Sequence, residues 1–173
     1  MKRFLLVLAT ALFTLLFATT AQAATTFNTS AAPNGTHLQR GSIGCSVNSS
    51  GLVTCTAYEL AGVGNANATA TLNALYSATV QCRNHGGQIV EVKSQAKSAP
   101  TSTGSLSPKN GRLAVPALSS GPVPSASQFE SQATCPNGNW TKELQDGTVT
   151  LPSFTYTLHF TGFTGNYITI TGP

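Results

Sequence analysis

Charge is what this sequence has least of. Asp, Glu, Lys and Arg make up 8% of the chain, against roughly a quarter in an average soluble domain. Asp146 is the only aspartate, and the four glutamates stand singly along the sequence. Because calcium sites and most glycosidases need clustered carboxylates, we expect neither here. With so few charges, Ser, Thr, Asn, Gln and Gly must cover the solvated surface.

The sequence also lacks a basic patch. Two of its nine basic residues, Lys2 and Arg3, open the chain, and the other seven are scattered between positions 40 and 142. Proteins that bind nucleic acid normally carry clustered Lys and Arg. We therefore expect no nucleic-acid partner.

Metal-ligand spacings are missing as well. The three histidines, His37, His85 and His159, lie far apart, and none has a carboxylate or a second histidine at ligand spacing. Structural zinc sites usually use paired C-x-x-C motifs, which this chain does not contain. We predict no metal ion and no cofactor.

Long apolar runs are limited to the N-terminus. Lys2 and Arg3 are followed by fourteen mostly apolar residues, Phe4 to Phe17, and then by Ala21-Gln22-Ala23, a small-x-small cleavage pattern. This is a secretory signal peptide, too short to span a bilayer comfortably. We predict cleavage after Ala23, a secreted extracellular product, and no membrane anchor afterwards.

What the chain does have is strict alternation. From Ala70 to Cys82 every second residue is apolar and the residues between are polar, with Leu75 the one exception. A period of two predicts a long β-strand with one buried face, and it places Cys82 on that face. Residues 154 to 160 repeat the pattern, and no amphipathic helical window appears.

Glycine, proline and asparagine turns separate about eight to ten such segments, which predicts an all-β fold, an antiparallel β-sandwich. It is immunoglobulin-like in architecture only, because Trp140 follows Cys135 instead of lying between paired cysteines. We expect a signal peptide at 1–23, a flexible N-terminal arm at 24–42 and a single sandwich domain at 43–173. The Ser- and Pro-rich stretch 94–127 is interpreted as loops with one edge strand.

Four cysteines in a secreted chain predict two disulfides. Cys45 and Cys55 flank the turn residues 48–51 at nearly equal distances, so a hairpin would place them opposite each other. This favours a Cys45–Cys55 bridge and leaves Cys82 for Cys135, although three pairings are formally open.

Two side chains are candidates for function. His159, on a threonine-lined strand face, could be the base of a secreted hydrolase in a triad with a serine and Asp146, but no G-x-S-x-G motif supports this. Trp140, beside a turn, is the best single candidate for a ligand contact, as in a carbohydrate-binding module. Tyr76 and Tyr156 occupy inward registers, so we expect them in the core.

The leading hypothesis assigns no catalytic residue. It is a secreted, non-catalytic structural or interaction module whose partner is an extracellular protein or a glycan. The signal peptide, the cysteine count and the polar, uncharged surface motivate it.

Two motifs carry a resemblance. At Cys82-Arg-Asn-His-Gly-Gly87 and at Cys135-Pro-Asn-Gly-Asn-Trp140-Thr141 the chain resembles a group of uncharacterised small secreted bacterial proteins with two disulfides and a β-sandwich-like pattern. The resemblance covers roughly residues 70 to 141. It implies secretion, a β-rich fold and a Cys82–Cys135 bridge, and it transfers no catalytic residue.

Overall fold

A computed structural model describes residues 23–173, so the predicted signal peptide, apart from Ala23, lies outside the described residues. The described chain is mostly antiparallel β-structure with one short helix, which confirms the all-β prediction. The strands are β1 Ala24–Phe27, β2 His37–Gly41, β3 Cys45–Val47, β4 Val53–Cys55, β5 Tyr58–Ala61, β6 Ala68–Arg83, β7 Ile89–Lys97, β8 Thr101–Ser102, β9 Arg112–Val115, β10 Leu118–Ser119, β11 Thr141–Leu144, β12 Thr150–Phe160 and β13 Ile168–Gly172. The helix α1 is Ala126–Gln132, and a single 3-10 turn spans Thr29–Ala31.

Strand β6 is the central element of a seven-stranded sheet. It is sixteen residues long, so the predicted strand is confirmed and extends slightly beyond both expected ends. One edge of β6 pairs with β12 and then with β11, and the other edge pairs with β8 and then with β7. Strands β13 and β1 continue the sheet beyond β12. The long alternation of apolar and polar residues in β6 therefore reflects a strand that is hydrogen-bonded on both edges and buried on one face.

Two small sheets lie against the inner face of this large sheet. Their orders are β10-β4-β3 and β2-β5-β9. The buried residues of all three sheets form one hydrophobic cluster. It includes Val53 from one small sheet, Leu60 and Leu113 from the other, and Leu72 and Leu158 from the large sheet. All four of these leucines are fully buried, and burial of each such side chain contributes about 1.5 to 3 kcal/mol.

Helix α1 was not expected, because no amphipathic helical window is visible in the sequence. It is only seven residues long and buries a single side chain, Phe129. Its start has a local signal, since Ser125 and Gln128 have the spacing of a capping box. The Gln128 side chain accepts a hydrogen bond from the Ser125 N–H at 2.8 Å. Helix α1 packs on β7, where the Ser94 hydroxyl donates to the Phe129 carbonyl.

The N-terminal segment 24–42, for which the sequence predicts a flexible arm, instead contains two paired strands. Strand β1 pairs with β13, and β2 pairs with β5. Both strands leave most of their residues exposed, so neither shows the alternation that would have revealed it. The main chain supplies the contacts: the Asn28 N–H, for example, donates to the Tyr167 carbonyl at 2.8 Å.

Both predicted disulfides are present. Cys45 and Cys55 are directly opposed in the β3–β4 ladder, with their Cα atoms 4.0 Å apart. Cys82, fully buried on β6, bonds to Cys135, with a Cα separation of 5.7 Å. This second bridge ties β6 to the segment between α1 and β11, so residues 83–134 form the loop that it closes.

The two bridges differ in the length of chain that they close, which is 53 residues for Cys82–Cys135 and 10 for Cys45–Cys55. In the chain-entropy account these loops correspond to roughly 4 and roughly 3 kcal/mol of stabilisation. We expect the variant Cys82→Ala/Cys135→Ala to be less stable than Cys45→Ala/Cys55→Ala by about 1 kcal/mol in urea unfolding. Equal stabilities, or the opposite order, would contradict the expectation.

Candidate functional site

His159 lies on the exposed face of β12, as the sequence predicts. Its Nδ1 is 2.7 Å from the Gly165 carbonyl oxygen, so Nδ1 carries the proton and donates it to the main chain. In a catalytic triad this nitrogen donates to a carboxylate instead. Asp146 is exposed in the turn after β11, and no carboxylate within residues 23–173 is hydrogen-bonded to His159. The structure does not bring the hypothetical triad together.

The other two histidines are not near a ligand-like cluster. His37 Nδ1 bonds to the Gly35 carbonyl at 2.8 Å, and His85 is exposed in the turn between β6 and β7. In the described part of the chain no three His, Cys, Asp or Glu residues are grouped as a metal site would require.

Trp140 is half-buried in a bend just before β11. It lines none of the four main cavities described for residues 23–173. Tyr76 and Tyr156 are buried in the core, as expected, and Tyr167 packs against Phe160. The aromatic side chains therefore do not assemble into a platform around Trp140.

The perturbed ionisable groups are tyrosines in the core. The Tyr58 and Tyr156 hydroxyls are hydrogen-bonded to each other at 2.8 Å across the two layers. Burial raises the pKa of Tyr58 far above its usual value, and the adjacent Tyr156 raises it further. Burial also raises the pKa of Tyr156 and of Tyr167. Since Tyr58 and Tyr156 face each other inside the core and not a cleft, we interpret this pair as a structural contact.

The most ordered polar feature is the outer face of the large sheet. Strand registers place five hydroxyl side chains in one row across five neighbouring strands, β1, β13, β12, β6 and β8. The row is Thr26, Thr169, Thr157, Thr71 and Ser102. A second row beside it holds Thr171, Thr155 and Asn73. We call these two rows the hydroxyl face.

The hydroxyl face has a regular spacing. Neighbouring strands are about 4.8 Å apart, and residues two apart along a strand are separated by roughly 6.7 Å. Threonine is β-branched and stiff at χ1, so its hydroxyl and methyl groups are held with little rotamer freedom. The face therefore presents a rigid array of hydrogen-bonding groups.

Most polar side chains of this face are not used within the fold. The exceptions are the Thr26 hydroxyl, which donates to the Thr169 carbonyl at 3.3 Å, and the Ser102 hydroxyl, which accepts from the Gly104 N–H at 3.2 Å. Thr71, Thr155, Thr157 and Thr171, together with the Asn73 amide, make no side-chain hydrogen bond to another part of the described chain. Asn48 and Asn84, in contrast, are occupied in their own turns, where their side chains accept main-chain N–H groups. The face is thus free to bond to water or to a ligand.

The face also carries no formal charge. Neither row contains Asp, Glu, Lys or Arg. The first outward-facing charge beside the rows is Lys97 of β7, which pairs with Leu75 one row beyond Asn73. Glu91 and Glu143 lie further along β6, in the row of Gln81. The two rows themselves therefore present an electrically neutral surface to a partner.

A small cavity adjoins the second row. It measures about 220 Å³, and its lining includes Asn73, Leu75, Lys97, Ser153 and Thr155. Pairing between β12 and β6 shifts register between Thr150 and Ser153, next to this cavity. Leu75, the exception to the alternation of β6, is half-exposed there. That exception was the available sequence signal for the cavity.

A larger cavity lies elsewhere, between the free edges of β1 and β3. It measures about 670 Å³, and Ile43, Leu151 and Phe154 are among its apolar lining residues. Ligand sites usually add several converging polar side chains to an apolar wall. Here only Thr25 and Ser46 supply a hydroxyl, so the hydroxyl face is the better candidate.

Comparison of the chain with protein-family models, with curated proteins and with solved structures finds no significant match. The resemblance drawn from two sequence motifs therefore stays a prediction. No helix among the described residues is both long enough and apolar enough to cross a membrane.

The tyrosine pair generates a pH prediction. A raised pKa means that the folded state keeps its tyrosine protons where the unfolded chain, with a pKa near 10, loses them. The stabilisation is complete below about pH 10 and is lost as pH rises above it. We expect the free energy of unfolding of Tyr58→Phe/Tyr156→Phe to fall less steeply above about pH 10 than that of the parent protein. Urea unfolding at a series of pH values on both sides of about pH 10 measures this fall. A fall as steep as that of the parent protein would contradict this.

Proposed function

We propose that this chain is a secreted, non-catalytic binding module that engages an uncharged extracellular partner through its hydroxyl face. In this proposal the three sheets act as a β-sandwich of immunoglobulin-like architecture. One layer supplies the binding face and the other closes the core behind it. The observation that carries the proposal is the set of rigid, aligned hydroxyl groups on that face, most of which have no hydrogen-bond partner within the fold.

Secretion is supported by two independent features. The first 23 residues have the pattern of a cleavable signal peptide. Two disulfides close the fold, and such bonds persist in oxidising compartments outside the cytosol. A surface with few charges and many hydroxyls is in keeping with that setting.

A binding role is favoured over catalysis by how the reactive side chains are arranged. His159 donates to a main-chain carbonyl, and its partner in the hypothetical triad, Asp146, stands apart in a turn. General acid–base chemistry requires groups within hydrogen-bond reach of one another or of a substrate. The hydroxyl face, in contrast, needs only its fixed geometry to bind.

The proposal predicts that one charge in the first row weakens binding. Thr157 lies at the centre of that row, and a lysine there would force a bound neutral partner to desolvate an ammonium group. We expect Thr157→Lys to weaken binding of the mature protein, residues 24–173, to the cell-envelope fraction of the producing organism by at least about tenfold, which corresponds to roughly 1.4 kcal/mol. Sedimentation with that fraction measures the bound share.

Thr54→Lys is the matched control. Thr54 is an exposed strand threonine of β4, in the opposite layer. The substitution Thr54→Lys should therefore leave binding unchanged. Equal binding by both variants and the parent would contradict the proposal. If instead Trp140→Ala alone removed binding, a tryptophan-centred carbohydrate module would replace the hydroxyl face as the explanation.

A further inference from the structure

We infer that the partner of the hydroxyl face is a neutral polysaccharide chain, one sugar ring of which sits in the small cavity over Leu75. The inference rests on the proposed function, and it names the chemical class of the ligand. Its elements are the neutrality of the rows, the composition of the cavity and the shape of the sheet.

The absence of formal charge from the two rows disfavours the binding of charged polymers. The two rows carry eight polar or hydroxyl side chains and no formal charge. A polyanion bound along the rows would lose part of its hydration and would meet a cation, Lys97, only in the lining of the adjoining cavity. A neutral polysaccharide instead exchanges its hydrogen bonds to water for bonds to hydroxyls, one group at a time.

The cavity has the composition that a sugar ring requires. A pyranose has an apolar C–H face and a rim of hydroxyl groups. Leu75 supplies an apolar surface, while the Ser153 and Thr155 hydroxyls and the Asn73 amide supply polar groups in the same lining. An amide both donates and accepts, so Asn73 is suited to bridge two adjacent sugar hydroxyls.

The size of the cavity indicates one ring of a longer chain. Its volume of about 220 Å³ is below the roughly 300 to 1,000 Å³ of typical small-molecule sites. The rest of the ligand would then lie on the rows, the first of which crosses five strands and so extends about 19 Å. Stiff threonine side chains lose little freedom when they bind, which lowers the entropic cost of such a contact.

The shape of the sheet favours a single flexible chain over a flat crystalline surface. Adjacent strands are rotated by about 20 to 25° in a twisted sheet, so the normals of the hydroxyl face turn progressively from β1 to β8. A polysaccharide chain can follow this rotation through its glycosidic torsions. A rigid planar lattice contacts only part of the face.

The test is affinity electrophoresis of the mature protein in gels that contain one soluble polysaccharide each. The neutral panel is a β-1,3/1,4-glucan, a xylan, a galactomannan and dextran, and the anionic panel is alginate and heparin. We expect retardation by at least one neutral polymer, unchanged when the salt concentration is raised. Leu75→Thr restores the polar alternation of β6 and removes the apolar floor, and Asn73→Ala removes the amide. Each should weaken binding about tenfold.

Asn65→Ala is the matched control, because Asn65 is an exposed asparagine on the loop before β6 and outside both rows. It should bind like the parent, and thermal melts establish that all variants are folded. The inference is overturned by no retardation on any neutral polymer, by equal binding of Asn73→Ala and Asn65→Ala, or by binding to anionic polymers alone with loss in Lys97→Gln. If Thr157 still governs envelope binding in that case, the proposed function stands and only the ligand class is wrong.

Discussion

The structure depends on main-chain hydrogen bonding along both edges of β6. Strands β12 and β11 pair with one edge, and β8 and β7 pair with the other. Where a strand partner is missing, a loop takes its place: the Thr79 N–H donates to the Thr148 hydroxyl, and the Ser98 N–H donates to the Ala74 carbonyl. One strand thereby fixes the positions of Cys82 in the core and of Thr71 and Asn73 on the hydroxyl face.

The scarcity of charge and the candidate function have a common physical origin. A domain with few ionic groups must use short hydroxyl and amide side chains to stay solvated. Some of these complete turns, as Asn48 does through three contacts with Ser50 and Leu52. Most of those on the hydroxyl face have no such role, so the strand register alone sets them in rows. The side chains that keep this surface solvated are thus also aligned in rows, and a ligand can recognise that alignment.

The sequence allowed the long strands and the covalent framework to be predicted, because both depend on local patterns. Alternation located β6 and β12, and the symmetry of Cys45 and Cys55 about a turn located their bridge. Strand register could not be predicted from the sequence, since the pairing of Thr157 with Thr71 depends on two segments that are far apart in the chain. The same is true of β8 and β10, which are only two residues long and take their form from their neighbours.

Hydrogen exchange of the native protein tests the central role of β6 most directly. If both edges of β6 are bonded, consecutive amides from Ala70 to Gln81 should all be strongly protected, odd and even positions alike. Strand β1 pairs only with β13 in the described chain, so its protection should alternate from residue to residue. Alternating protection along β6, or exchange there as fast as in β1, would contradict the account.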